Sequence, residues 1–398
     1  MKNLNLKRVL ALLLASLLLV VVVQPAAADD TTETLAKRWS GVGRYGIVAQ
    51  GVGMDGVSTG DILGLNVPGT VVAAYLYWEG HDYRWAGPVG DDSVDLSVDG
   101  GLAVTLPADG TYGPLRWYGS YDRIAYWKDV TSLALSGSHS YEVSDLSMIN
   151  PSPDYSQDGA GLIVVYENAA LPVAYVEIQD GLDRAFRGWW TGQPDSPEQG
   201  ETAVNCFQFD ALATPRPLDL TAFVGGTEPM PDAKHGDRPN SIWYRTGTGT
   251  PPTDMLNADV DWNRDPLIKL LDKVPTAPGD FALTAGDGGK WDTYTNSIVL
   301  PPGETWACFQ LESSNLPEPS GSCASPDPVL GCCSQSAVGT NHKCYPASFA
   351  GLVLAGVLEL EQPVVEEEFV PEPGSMILLA SGLAGLAGYA TLRWRTKE

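Results

Sequence analysis

Positive charge is scarce in this chain of 398 residues: 24 lysines and arginines face 49 aspartates and glutamates, a formal net charge of −25. So acidic a polymer repels nucleic acid and anionic lipid, and with no basic patch to interrupt it, no nucleic-acid partner is expected. Histidine is nearly missing. The four present (His81, His139, His235 and His342) sit among polar or glycine-rich neighbours, where an exposed loop position is the expectation for each. Cysteine is absent from the first 205 residues. Long apolar runs are confined to the two ends, and nothing before the C-terminal tail sustains a 3.6-residue period; Pro266 to Leu271 offers at most one turn of helix. A helical bundle is thereby excluded. Also absent are a G-x-S-x-G elbow, an H-E-x-x-H pair, a P-loop and a G-x-G-x-x-G leading into a helix. The expectation is a protein that is not an enzyme and needs no cofactor. A secreted hydrolase with paired carboxylates is the alternative, but among 49 acids sequence proximity selects no pair.

What the chain does have begins at its ends. Lys2, Lys7 and Arg8 precede an apolar run from Val9 to Val23, and Ala26-x-Ala28 follows. A basic region, a short apolar core and a small-residue cleavage site make residues 1–28 a secretory signal peptide, read by the Sec export machinery. Its removal takes away three positive charges and moves the formal net charge from −25 to −28. At the other end Pro371, Glu372 and Pro373 lead into the uncharged segment Met376 to Leu392, closed by Arg393, Trp394, Arg395 and Lys397. As a helix, residues 376–392 would span roughly 25 Å, close to the roughly 30 Å hydrocarbon core of a bilayer. Arg393 and Arg395 can snorkel to extend that reach and stop transfer. Basic residues on the cytoplasmic side of both apolar segments place residues 29 to about 369 outside.

This C-terminal stretch, residues 370–398, resembles the PEP-CTERM sorting signal, which has a Pro-Glu-Pro triplet, a transmembrane span and terminal arginines in that order. The resemblance implies export, a stay in the membrane and processing near the triplet by an exosortase. It also places the exported portion at the cell surface or in the extracellular polysaccharide matrix. A permanent C-terminal anchor is the alternative.

Between the ends the composition is that of an all-β extracellular chain: 43 Gly and 30 Pro punctuate short runs rich in β-branched and aromatic residues. Val71 to Trp78 is apolar on both faces, so it belongs at the centre of a sheet. Ser93 to Val98 alternates, with Val94, Leu96 and Val98 on one face, and Asp99-Gly100-Gly101 turns it into Ala103–Leu106. Gly161 to Tyr166 is a further buried strand. The spacing predicts one or two antiparallel β-sandwich domains, jelly-roll-like, over residues 39–180 and 181–361. Residues 29–38 read as a polar leader, 320–346 as a cysteine-rich insertion, and 362–373 as a Pro/Glu stalk extended by repulsion among Glu366, Glu367 and Glu368. A pattern of aspartate before an apolar turn, alternating strand, Asp-Gly turn and apolar strand occurs twice. It runs through Asp129, Tyr141, Asp158-Gly and Leu162–Tyr166, then through Asp265, Phe281, Asp287-Gly and Ser297–Leu300. Duplication of a sandwich is one reading and chance similarity among β-rich segments the other. Residues 71–180, through Ala73–Trp78, Lys128–Leu133 and Asp158–Glu167, also resemble a secreted β-sandwich family of undefined function.

The six cysteines (Cys206, Cys308, Cys323, Cys332, Cys333 and Cys344) are even in number in an exported chain, which reads as disulfides. Cys206 with Cys308 is the natural pair, leaving two bridges in the 320–346 loop. A zinc site is the competitor, but adjacent cysteines lack ligand spacing. Asp259, Asp261, Asn263 and Asp265 alternate like the start of a calcium loop, with Asp91-Asp92 and Asp287 as other acidic places for the ion. Yet Arg264 stands where that loop needs glycine, and one exposed strand face gives the same alternation. Among the aromatics, Tyr75, Tyr77, Tyr126 and Trp127 suit a core. Trp85, Trp189 and Trp190, in polar or glycine-flanked loops, suit stacking on sugar rings, so a carbohydrate-binding module is a further alternative. Intact-mass analysis of the exported protein with and without reductant is expected to show every cysteine oxidised; six free thiols would contradict it.

Overall fold

The computed structural model describes residues 35–54, 57–83, 91–116, 121–146, 157–186, 201–227, 240–255, 267–271, 283, 287–313 and 348–360. The signal peptide (1–28), the Cys323–Cys344 loop, the calcium-like run at 259–265, the stalk and the 376–392 span lie outside these residues. The chain divides into a compact unit ending at Leu360 and a second unit, Glu361–Glu398. Among the described residues no helix is long and apolar enough to cross a membrane.

The described chain is built from 18 antiparallel strands in four sheets. After β1 (Ala36–Gly43) come β2 (Tyr45–Gly53), β3 (Gly60–Val67), β4 (Thr70–Tyr83), β5 (Ser93–Val98) and β6 (Val104–Pro107). These are followed by β7 (Gly110–Arg116), β8 (Tyr121–Asp129), β9 (Gly137–Ser144) and β10 (Gln157–Glu167). A second set comprises β11 (Ala174–Phe186), β12 (Asn205–Gln208), β13 (Arg216–Thr227), β14 (Asn240–Gly247), β15 (Lys269–Leu270), β16 (Lys290–Leu300), β17 (Trp306–Ser313) and β18 (Ser348–Glu359).

The first sandwich packs the sheet β2-β10-β4-β8-β7 on the sheet β3-β9-β5-β6 around Ile62, Leu76, Trp78, Val143, Leu162 and their neighbours. The second packs β1-β11-β18-β13-β16 on β12-β17-β14-β15 around Leu218, Leu220, Phe309, Leu354 and others. Setting aside β1 and β7, strands 2, 3, 4, 5, 6, 8, 9 and 10 map in order onto strands 11 to 18, and the sheet orders then coincide. Each half is an eight-stranded jelly roll. The repeat is thus present in the topology, but in another register from the one the sequence suggests. β10 corresponds to β18 rather than to Ser297–Leu300, and the two strands share Ala160-Gly161-Leu162 and Ala350-Gly351-Leu352.

Where the rolls divide also differs from the boundary at residue 180. Asp180 lies inside β11, the crossing between rolls is at 168–173, and β1 pairs with β11 from Ala36↔Asp180 to Gly43↔Ala174. Ala36–Arg38 of the expected leader are therefore strand. Glu177, Gln179, Asp180 and Asp183 make β11 look like a polar boundary, yet all four are buried and each has a hydrogen-bond or ion-pair partner within the fold. Lys269–Leu270, expected as helix at most, instead pairs with Trp243 and Tyr244 of β14.

A third apolar layer joins the two rolls. β4 is the middle strand of its sheet, and its alternation serves both faces: Ala74, Leu76 and Trp78 enter the first core, while Ala73, Tyr75 and Tyr77 face the second roll. They meet Val176, Ile178, Phe223, Trp291 and Val353 there. Trp291 is fully buried, with its ring 5.6 Å from that of Phe223. A Cβ on Gly161 of β10 would come within 2.8 Å of the same indole, so glycine makes the close approach possible. Each large apolar side chain so buried contributes about 1.5–3 kcal/mol. Trp291→Ala is expected to cost about 3–5 kcal/mol in urea unfolding; a loss under about 1 kcal/mol would mean that the indole does not carry the junction.

Candidate functional site

The junction is apolar over most of its area and ionic at one end. Three strands of the first roll supply the charges. Glu79 and His81 continue the inward face of β4 beyond Tyr77, since a strand repeats every second residue. Arg123 stands on β8 directly opposite His81. Asp158 comes from a bulge in β10: Gln157 pairs with Gly80 and Gly159 with Glu79, which leaves Asp158 as the extra residue. Bulges re-aim side chains, and this one brings the carboxylate to Arg123. The guanidinium Nη1 donates to Glu79 Oε1 and lies 3.2 Å from Asp158 Oδ2, while His81 Nδ1 lies 3.3 Å from Asp158 Oδ1. Side-chain exposure is 0 % for Glu79 and Asp158, 1 % for Arg123 and 5 % for His81.

The second roll answers with bare backbone. β13 carries a bulge at the facing position, where Gly225 pairs with Trp291 and Thr227 with Lys290, leaving Gly226 over at φ +71. A Cβ on Gly225 would overlap Glu79 Oε2, and one on Gly226 would overlap the Arg123 guanidinium. Gly226 is thus required twice, by its left-handed backbone and by lack of room. The same end is closed by Gly53 N donating to Asp287 O (2.8 Å) and Met54 N donating to Asp158 O (3.0 Å). Towards the middle of the junction Arg38 of β1 donates to Asp180 (2.7 Å) and lies 3.6 Å from the Trp127 ring centre, while Tyr77 OH donates to the same carboxylate (2.8 Å). A second polar tie thus joins the rolls.

Burial pushes Glu79 up to about 8, with Arg123 only partly offsetting it. Burial acts on Asp158 in the same sense, but Arg123 and then His81 outweigh it and hold Asp158 at about 2. The environment thus drives the two apart, Glu79 towards its protonated form and Asp158 towards its ionised form beside the guanidinium. Two carboxylates with opposed shifts are also what acid–base catalysis uses. Here, however, all four side chains are sealed between sheets, which suits a structural lock and gives a substrate no contact.

The other residues singled out in the sequence divide as follows. Cys206 and Cys308 are joined, directly opposed on β12 and β17. Trp85, Trp189, Trp190, Cys323, Cys332, Cys333, Cys344, Asp259, Asp261, Asn263, Asp265, Ala26, Ala28, Pro371, Glu372, Pro373, Arg393 and Arg395 lie outside the described residues. Tyr75, Tyr77 and Tyr126 are buried, and Trp127 is half-buried against the junction. Two histidines are not in loops. His81 is enclosed in β4, and His139 is on β9, where hydrogen bonding to Asp99 (2.7 Å), then to the Ser136 carbonyl (3.0 Å), raises its pKa. Asp158-Gly159, read as a turn, is strand. Asp287 is half-buried, accepts from Gln50 (2.6 Å) and is raised by burial. Among the described residues no group of three or more His, Cys, Asp or Glu side chains is arranged to hold a metal ion.

The comparisons with known proteins bear on the other end of the chain. Residues 369–393 match the family described as the PEP-CTERM protein-sorting motif. No curated protein matches the chain. Among solved structures, one chain from work titled as the atomic structure of Sulfolobus Turreted Icosahedral Virus is 8 % identical; the match covers 68 % of this chain and 90 % of that one. Its TM-score of 0.21 is too low to bear on the fold. The chain thus carries the PEP-CTERM motif, which marks an exported protein sorted by an exosortase.

Arg123→Met would leave Glu79 and Asp158 buried without their shared cation and is expected to cost about 3–5 kcal/mol in denaturant unfolding at pH 7. A variant within about 1 kcal/mol of wild type would show that the ion pair is idle.

Proposed function

We propose that this protein is a non-enzymatic structural or adhesive component of the cell surface or extracellular polysaccharide matrix. The signal peptide hands it to the Sec machinery, the C-terminal segment holds it in the membrane, and an exosortase processes it near Pro371-Glu372-Pro373. The observation that carries this reading is the sorting motif at residues 369–393. The fold supports it. Two jelly rolls tied by an apolar layer and by polar contacts at Asp180 and Asp287, the second roll crosslinked within itself by Cys206–Cys308, make a stiff body. Its acidity favours solubility and spacing from like-charged neighbours. Contact with polysaccharide would use polar and aromatic surface and needs no cofactor. The enclosed state of Glu79 and Asp158 favours the structural reading over a hydrolase.

Replacing Pro371, Glu372 and Pro373 with alanine in the native host is expected to leave the protein in the membrane fraction at its unprocessed mass. Unchanged mass and unchanged surface abundance would contradict exosortase sorting. Matrix pull-down of the processed protein with the cell's own polysaccharide tests the adhesive role, and complete failure to co-sediment would remove it.

A further inference from the structure

The arrangement at the ionic end of the junction does more than pack two sheets together. Glu79 Oε2 and Gln157 Oε1 are buried there and have no hydrogen-bond partner among the described residues. The charged groups that act on Glu79 come from three strands: Arg123 of β8, Asp158 of β10 and Lys290 of β16. His81, on β4 itself, acts through Asp158. From β13 there is only Gly225, Gly226 and Thr227, which bring no charge. The socket therefore meets the plug with uncharged backbone from β13 and with the Lys290 cation from β16.

We propose that the Glu79–Arg123–Asp158–His81 cluster is a proton-controlled latch, closed while the carboxylate pair shares one proton and loosened at the Gly225–Thr227 end when that proton leaves. With both carboxylates ionised, one negative charge more is enclosed in the junction, where burial penalises it by more than Arg123 and Lys290 offset. The direction with pH follows from the two groups. Glu79 is held near 8, above the ordinary carboxylate range, so its contribution to stability is complete below about pH 4 and is lost as the pH rises through 8. Asp158 is held near 2, so its contribution is present above about pH 4 and is lost only as the pH falls towards 2. Between pH 5 and 8.5 only Glu79 of the two changes charge. Asp287, a half-buried carboxyl at this end, is raised as well and is the control.

The test compares the full exported chain with its Glu79→Gln and Asp287→Asn variants between pH 5 and 8.5. Three readings are taken: the urea midpoint, hydrogen exchange at Gly225–Thr227 corrected for its intrinsic pH dependence, and the infrared band of protonated carboxyl in isotope-labelled protein. Wild type and D287N are expected to lose midpoint and protection as the pH rises, with a protonated-carboxyl band vanishing near pH 8. E79Q should lack that band and show a shallower fall of the midpoint with pH than wild type or D287N. If E79Q keeps the wild-type slope, or the wild-type band is gone below pH 6, the latch is overturned. Should E79Q fail to fold, the wild-type infrared titration and exchange decide on the same terms.

Discussion

A guanidinium between two carboxylates is the constraint from which much of this architecture follows. Glu79 and Asp158 sit where no water reaches, and a dry site does not tolerate two uncompensated negative charges. Arg123 allows both to be there, and its size then dictates what can face it. Only a backbone without Cβ fits, so β13 bulges at Gly226 and offers Gly225 beside it. The apolar layer around Trp291, Phe223 and Tyr77 supplies the larger share of the attraction between the rolls. The ionic end supplies register, since a shift of one residue along β4 would swing Glu79 into the first core.

The two rolls repeat one strand order yet divide the work unequally. At the position where the first roll puts Glu79 and His81 on β4, the second has Gly225 and Gly226 on the corresponding strand β13. One half supplies side chains and the other supplies space. A junction of this kind joins unlike halves and gives neither half a matching surface for its own copy. Such specificity is a use of buried charge that apolar packing alone does not provide.

Much of the fold was legible because β-strand periodicity is legible. Val71–Trp78 and Gly161–Tyr166 read as central strands since both of their faces are apolar, and both faces are buried. The Asp99-Gly100 turn announced itself through two residues that accept positive φ, 51° and 69°. What misled was polarity inside strands. Asp158-Gly159 has the composition of a turn, and the buried acids of β11 have that of a boundary; only the partners supplied by distant strands make them interior. The strand expected from the sequence ends at Trp78, one residue short of Glu79, although Glu79 continues the inward phase of Tyr75 and Tyr77. Its partners Arg123 and Asp158 are 44 and 79 positions away, and no local pattern connects them. The sorting motif was legible without any fold, because the tail is recognised as a short linear address.

An exported body that must keep its shape outside the cell gains from folding as one piece, and here the junction is what makes two rolls into one. Each has its own core and would be able to melt separately if the layer between them were weak. Scanning calorimetry of the processed, oxidised protein tests this most directly. A single transition whose calorimetric and van't Hoff enthalpies agree is predicted; two resolved transitions, one per roll, would contradict it.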